Sequence, residues 1–567
     1  MIATFLHDTA MITSMKIAYI YDAIYPYIKI LPCLKKDISP FLSGLFGAIL
    51  GGSFFLLLFD FSLLNPLNIE WLMGDQGDIT QSFLGWHFFR NSEWTFPLGK
   101  ILQYNFPQGT SIGFTDSIPF LALLFKTMNP LLSDSFQYLG PWLFFCYILQ
   151  GFTSALLIRA HCKNVVLIIL GTLFFVINPV LLNRIGHVAL VGHWILLAAL
   201  WFYSSLKTFQ TKKYFSFWLI LFFFSCGTHP YLTIMVFCLF LAHNFHLKII
   251  DKNYLIKQLL LNHVFFIFII LILWWNFGYF SRGYGVSNYT AEGYGYFSLN
   301  LNALFNFHSS SLFKGLPYAT KGQYEGFSYL GLGGIILCIL SFLALISKPG
   351  LKQYLKKHSP LIAVCIILTL YALSHKITFG DKVLINIPLP SFLGDFFSIF
   401  RSSGRFFWVP YYILLTIPFF ILAERLKLSF MILILIFTLC LQVLDLKQLY
   451  QQKTFTKRWS YTLVSHEWET LAKQYEHIVL LPPRKCAHPP QIPIHDLIFF
   501  SAKNRFSLNT GLYAHPYIDS EYCNSLVQLI TNHTFDSKTL YIPVPRLLRF
   551  LDLNCTKIDA ILVCRKI

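Results

Sequence analysis

Long apolar runs recur along roughly the first 445 residues. A helical membrane span needs about 20 consecutive apolar residues. The pattern predicts eleven spans, near 41–63, 136–159, 164–182, 187–207, 213–228, 230–247, 259–279, 324–346, 359–375, 405–423 and 428–444. A transmembrane barrel would instead show alternating segments of about ten residues. From residue 446 the rhythm changes to short apolar runs ("HIVLLPP", "LIFFS", "LYIPV", "AILVC") between polar turns. Two stretches there, "HEWETLAKQY" and "EYCNSLVQLIT", read as helices, so this segment is expected to be a small α/β domain. The expected fold is a polytopic α-helical membrane protein of about eleven transmembrane helices. A cytoplasmic segment 1–40 leads into a membrane domain 41–445 with a large outer loop 64–135. An extracytoplasmic α/β domain follows at 446–567. The first forty residues lack a small-residue cleavage site, so the first span is expected to serve as an uncleaved signal.

Charge sets the orientation. The chain is 55% hydrophobic and 12% charged, with a mean hydropathy of +0.57, against about 25% charged residues in a soluble domain. Its net charge of +18 comes largely from Lys and Arg in short loops between spans. Such loops face the cytoplasm. The charge is therefore not a nucleic-acid signature. The longer loops 64–135, 280–323 and 376–404, and the terminal segment, then fall outside. The 59 Phe and 30 Tyr suit lipid-facing and interfacial positions. Cys486, Cys523, Cys555 and Cys564 lie in the terminal segment. They read either as free buried thiols or as up to two disulfides, with three pairings open.

Scarce acidic residues and histidines gather in the outer loops. In "GDQGDITQSFLGWHFFR" (74–90), Ile79, Phe83 and Trp86 repeat as one helical face after Asp78. Asp78 stands as an N-cap, with Gln81 three residues on as in a capping box. The expected helix is amphipathic and lies at the membrane interface. A carboxylate partly desolvated there can also serve as a general base. Asp116, in "GTSIGFTDSIPFLALLFK", reads as the cap of an apolar helix of about fifteen residues, or as a second acidic group that orients an acceptor or binds a divalent cation. In "RSSGRFFWVP" (401–410), Ser402 or Ser403 would cap a span. Arg401 and Arg405 either snorkel to headgroups or bind phosphate at the helix N-terminus. Glu325 lies at the outer end of a span, where an acid is unusual. His187 near Arg184 is a candidate phosphate contact, whereas His193 reads as an ordinary interfacial residue. Asp75, Gln81, His87, His229 and Arg282, the last in the Gly- and Tyr-rich loop 281–300, complete the candidate substrate contacts. No P-loop, dinucleotide fingerprint or nucleophile elbow occurs.

The stretches "GDITQSFLGWHFFR", "GTSIGFTDSIPFLALLFK" and "GQYEGFSYLGLGG" resemble a bacterial family of uncharacterised membrane proteins (DUF6311-like) over nearly the whole chain. The layout is similar to the GT-C superfamily of integral membrane glycosyltransferases. That resemblance implies a polyprenyl-phosphate-linked sugar as donor and a glycan or lipid hydroxyl as acceptor, outside the bacterial inner membrane. It also implies Asp78, at the Gly-Asp position before "FLGW", as the base. Arg401, Arg405 and His187 would hold the phosphate charge. A transporter or flippase of lipid-linked sugar is the alternative, and a scaffold protein a weaker one.

Overall fold

The computed structural model describes residues 38–566 except 206–210, 252–254, 282–292, 348, 453–454, 456–457 and 515–518. Most of the expected segment 1–40, and Arg282 with most of its loop, lie outside the described residues.

Helix α1 (Pro40–Leu58) starts with Ser39 capping the Leu42 amide and proline at its first position. Its glycines let it lie against Leu139–Arg159 (numbered α5 below) at backbone distance. A Cβ on Gly47 would stand 2.1 Å from the Gly151 carbonyl oxygen. Close approach of small residues is what holds helices together in lipid, where apolar side chains gain nothing by leaving it. Between these helices lie α2 (Glu70–Asp75), α3 (Asp78–Asn91), the short pair β1 (Lys100–Ile101) and β2 (Thr110–Ser111), and α4 (Pro119–Thr127). The bundle continues after α5 (Leu139–Arg159) with α6 (Val165–Val176), α7 (Pro179–Asn183), α8 (Trp194–Ser204), α9 (Thr211–Thr228), α10 (Pro230–Ile249) and α11 (Ile256–Asn276). Then come α12 (Leu332–Ile346), α13 (Leu351–Lys357), α14 (Ser359–Leu373), the hairpin β3 (Lys376–Phe379) and β4 (Lys382–Asn386), α15 (Ser391–Ser398), α16 (Trp408–Arg425) and α17 (Leu428–Asp445).

The protein is a multi-pass membrane protein, but the span count differs from eleven. Among the described residues seven helices are long and apolar enough to cross, with α12 and α13 an eighth if their 115° bend is one span. The expected spans at 187–207, 213–228 and 359–375 are occupied by shorter apolar helices. Those three helices, Val188–Ser204, Lys213–Thr228 and Ser359–Leu373, end before reaching 18 residues, and at the expected span 324–346 residues 324–331 are a 3-10 turn and extended chain, so α12 starts only at Leu332. Hydropathy reports how apolar a stretch is, not where its helix begins and ends.

The terminal segment is a mixed α/β domain: α18 (Glu467–Gln474), β5 (His477–Leu481), α19 (Ile494–Lys503), β6 (Ser507–Leu508), α20 (Ser520–Thr531), β7 (Thr539–Pro543), β8 (Asn554–Ile558) and β9 (Ile561–Arg565). Its sheet runs β6-β5-β7-β9-β8, parallel across β6, β5 and β7 and antiparallel thereafter. The run "LIFFS" falls in α19, not in a strand. The open cysteine question resolves into Cys486–Cys523 and Cys555–Cys564. Disulfides persist in oxidising compartments, consistent with an extracytoplasmic face. The outer loop extends this sheet. Tyr104 bridges Leu508 in parallel, the Leu508 amide donates to Gln103 O at 2.8 Å, and the Phe106 amide donates to Leu508 O at 2.9 Å.

Candidate functional site

Helix α3 has Gly77 as its N-cap, with no side-chain cap bond, so the capping box expected of Asp78 and Gln81 does not form. Asp78 stands in the first turn, where the positive helix end favours a carboxylate, and its oxygens are left for other partners. The helix is also not a surface-lying one. Ile79, Phe83 and Trp86 are fully buried, and so is nearly every residue from Ile79 to Arg90. Helix α19 of the terminal domain packs on α3, with Phe499 against Phe83 and His87 and the Ala502 carbonyl accepting from Asn91 Nδ2. Asp78 itself stays 50% exposed at the edge of this packing.

The Asp116 loop is fixed onto the same helix. Asp116 and Ile118 adopt left-handed backbone at φ 56° and 51°, a conformation costing of order 1–3 kcal/mol at a non-glycine residue. Hydrogen bonds hold it there. The Thr115 and Ser117 hydroxyls meet at 2.7 Å, Ser117 Oγ donates to Ser82 O at 2.8 Å, and the Tyr138 hydroxyl donates to Ser117 O. Gly85 makes room: a Cβ there would come within 2.3 Å of Thr115. Asp116 does not cap α4, which spans nine residues with Ile118 as its N-cap and no side-chain cap bond. Its Oδ1 instead lies 3.5 Å from His229 Nε2. His229 is oriented by its own role as N-cap of α10, where Nδ1 accepts from the Tyr231 amide at 3.2 Å.

Behind Asp78 stands a buried ionic group. His187 Nδ1 is 3.1 Å from Asp78 Oδ2, and its Nε2 is 3.8 Å from Glu325 Oε1. Glu325 accepts from Arg405 Nε at 2.9 Å and Nη2 at 2.8 Å, and from Arg184 Nη1 at 2.5 Å. Arg184 also donates to the carbonyls of Tyr324 and Glu325, both at 3.0 Å. Planar guanidinium groups suit such forked pairing. Each also covers a ring: Arg184 lies 5.5 Å from the Trp408 centroid and Arg405 4.8 Å from that of Tyr231. Ser402 and Ser403 cap nothing with their side chains. The Ser402 amide donates to the Tyr231 hydroxyl at 2.9 Å, and Ser403 Oγ donates to Ala372 O at 3.2 Å.

The electrostatics divide the two aspartates. Burial and the Asp116 carboxylate push Asp78 up to about 6, against the pull of Arg405, with Glu325 and Asp75 adding to the rise. Burial alone would raise Asp116 too. The hydrogen bond and charge of His229, then His187 and Arg405, outweigh it and hold Asp116 below the usual carboxylate range. Burial lowers His187 to about 4, against the Glu325 charge and with Arg405 and Arg184 assisting. A neutral His187 has one ring N–H to give, and Asp78 is the partner within hydrogen-bond reach. Arg405 and Arg184 likewise hold Glu325 well below the usual range although burial opposes them. Two carboxylates whose environments drive them apart are the arrangement from which a base and a fixed charge are built. Among the described residues no group of three His, Cys, Asp or Glu could hold a metal ion.

Seven of the sequence-predicted residues thus come together: Asp78, Asp116, Arg184, His187, His229, Glu325 and Arg405. Asp75 closes α2 beside them and Gln81 lies one turn along α3. His87 does not join. It is 1% exposed and stacks on Phe499 at 4.7 Å, and burial lowers it to about 3, so it is a neutral packing residue against α19. Arg401 points over the Phe297 ring at 5.2 Å instead. His193 is fully buried, not interfacial, and its Nδ1 meets the Tyr412 hydroxyl at 2.7 Å. The sequence pattern missed Tyr231, whose only signal was its place in "GTHPY", and Tyr324, 47% exposed next to Glu325.

No curated protein matches the chain. A family model described as Domain of unknown function (DUF6311) matches residues 48–447, and one described as DUF6311 C-terminal domain matches residues 467–566. The first match alone spans more than half of the sequence, so the chain belongs to the DUF6311 family and carries that family's C-terminal domain.

Proposed function

We propose that the protein is an inverting glycosyltransferase of GT-C type. It moves a sugar from a polyprenyl-phosphate donor to an acceptor hydroxyl at the outer face of the bacterial inner membrane. The observation that carries this reading is Asp78, a half-exposed carboxylate raised to about 6 and backed by His187, Glu325 and two arginines. A base of that strength, open on one side, suits removal of a hydroxyl proton. The acceptor oxygen then bonds to the anomeric carbon as the bond to the phosphate oxygen breaks on the opposite face. The proton passes to Asp78, and polyprenyl phosphate leaves as the anion. The Arg405 and Arg184 group would meet that charge. An apolar groove of about 500 Å³ between α9 and α11, lined by Phe223, Phe224, Ile269, Ile272 and Leu273 among others, suits an isoprenoid chain. Phe224 stands little more than a turn before His229, so this groove runs toward the Asp116 side of the cluster. In this reading the short helices and the bent pair also cross, which makes eleven spans and leaves the terminal domain outside.

A transporter of lipid-linked sugar is the second reading. It draws on the break between α6 and α7, where Asn178 caps a new helix inside the bundle. The full-length protein in lipid nanodiscs, given polyprenyl phosphate carrying a labelled sugar and an alcohol acceptor, separates the two. Release of polyprenyl phosphate with a glycosylated product supports the transferase. Absence of turnover, with labelled lipid moving across sealed vesicles, overturns it.

A further inference from the structure

The outer hairpin and α15 expose more apolar surface than a water-facing loop should carry. In β4 and just after it, Val383, Leu384, Ile385 and Ile387 are each at least 50% exposed. In α15 and just after it, Phe392, Phe396 and Ile399 are 68%, 63% and 61% exposed. Their spacing of four and three puts them on one helical face. The opposite strand is bolted down. Gln323 Nε2 donates to Thr378 Oγ1 at 2.7 Å, the Leu301 amide donates to Thr378 O at 3.0 Å, and Asn300 Nδ2 donates to Gly380 O at 2.8 Å. The hairpin is therefore held with β4 facing outward.

Helix α14 says what it faces. It has 15 residues, or about 22 Å at 1.5 Å per residue, against a hydrocarbon core of about 30 Å. Its Ile366, Ile367 and Leu370 are 54%, 62% and 60% exposed, as lipid-facing residues are. Only Ser374 and His375 separate its last residue from β3. The exposed apolar surface of the hairpin thus continues the lipid-facing surface of a helix shorter than the hydrocarbon core is thick. We propose that β4 and α15 form an interfacial anchor, with their apolar side chains in the headgroup–acyl boundary of the outer leaflet. Depth follows from the backbone. Among the described residues the two-stranded sheet leaves one edge of β4 without a strand partner, which is excluded from hydrocarbon but satisfied by water and headgroups. Amphipathic helices lie at about 5–10 Å depth in that layer. Exposed Lys376, Asp381, Lys382 and Asp395 fit the polar side of it. The anchor would fix the plane of the chain entering Ser402 to Arg405, and it stands independently of the reaction proposed above.

The test places a photoreactive p-benzoylphenylalanine in the full-length protein, at Leu384 or at Phe396, with exposed Lys557 of the terminal domain as control. The protein is held in nanodiscs of phosphatidylethanolamine and phosphatidylglycerol and illuminated. The expected result is a mass shift of one phospholipid at positions 384 and 396 and none at 557, with each variant unfolding at the wild-type temperature. Crosslinks to a second copy or another protein, or no lipid adduct above the control, would overturn the anchor.

Discussion

Among single residues, two aspartates with opposite environments stand at the centre of the site. Asp78 raised to about 6 is protonated in mild acid and becomes a base as the pH rises. Asp116, held low, stays ionised over the same range. Transfer measured as kcat/KM should therefore climb with pH through about 6 and level off above it. A flat profile from pH 5 to 8 would count against Asp78 as the base. Glu325 is a structural counterpart. It is 3% exposed at its side chain and neutralises two buried guanidinium groups. Removing one partner of a buried ion pair costs about 3–5 kcal/mol. Glu325→Gln should lower the unfolding temperature markedly in a thermal melt in detergent, and an unchanged melt would show that the arginines find other acceptors. The acidic and basic members of this cluster were legible as residue types in outer loops. Their pairing was not, because Glu325 and Arg184 are 141 positions apart and no local spacing encodes that contact.

At the scale of elements, the motif around "FLGW" and the motif around "FTD" are two halves of one contact, joined where Gly85 admits Thr115. Overpacking such a junction costs about 1–3 kcal/mol. Gly85→Ala should lower the melting temperature and displace Asp116 relative to Asp78, reducing activity further than stability alone explains. A structure of the variant with the loop unmoved would refute that coupling. The period of α3 was readable from Ile79, Phe83 and Trp86, but its environment was not. Amphipathicity reports one buried face, and here the terminal domain supplies a second cover from more than 400 residues away. Helix starts failed for a related reason. Asp78 and Asp116 both had capping chemistry, yet His187 and His229 took those carboxylates and left Gly77 and Ile118 at the N-cap positions.

At the scale of the molecule, membrane class, the division into bundle and terminal domain, and most of the apolar helices followed from hydropathy alone. The span count did not, because hydropathy does not fix helix ends, and three apolar segments form helices of fewer than 18 residues. The terminal domain is stapled by two disulfides and stitched to the outer loop through Tyr104 and Leu508. For sequence separations of 37 and 9, chain entropy gives about 3.8 and about 2.6 kcal/mol. Reduction should therefore destabilise the domain, and Cys486→Ser with Cys523→Ser should do so more than the Cys555–Cys564 double variant. Equal melts for both would contradict this. Asp78→Asn in reconstituted full-length protein tests whether a lipid-linked sugar is transferred with Asp78 as base. With folding verified by an unchanged melt, transfer from polyprenyl phosphate should fall by about 10²–10⁴-fold. Transfer at the wild-type rate by that variant would rule out Asp78 as the base.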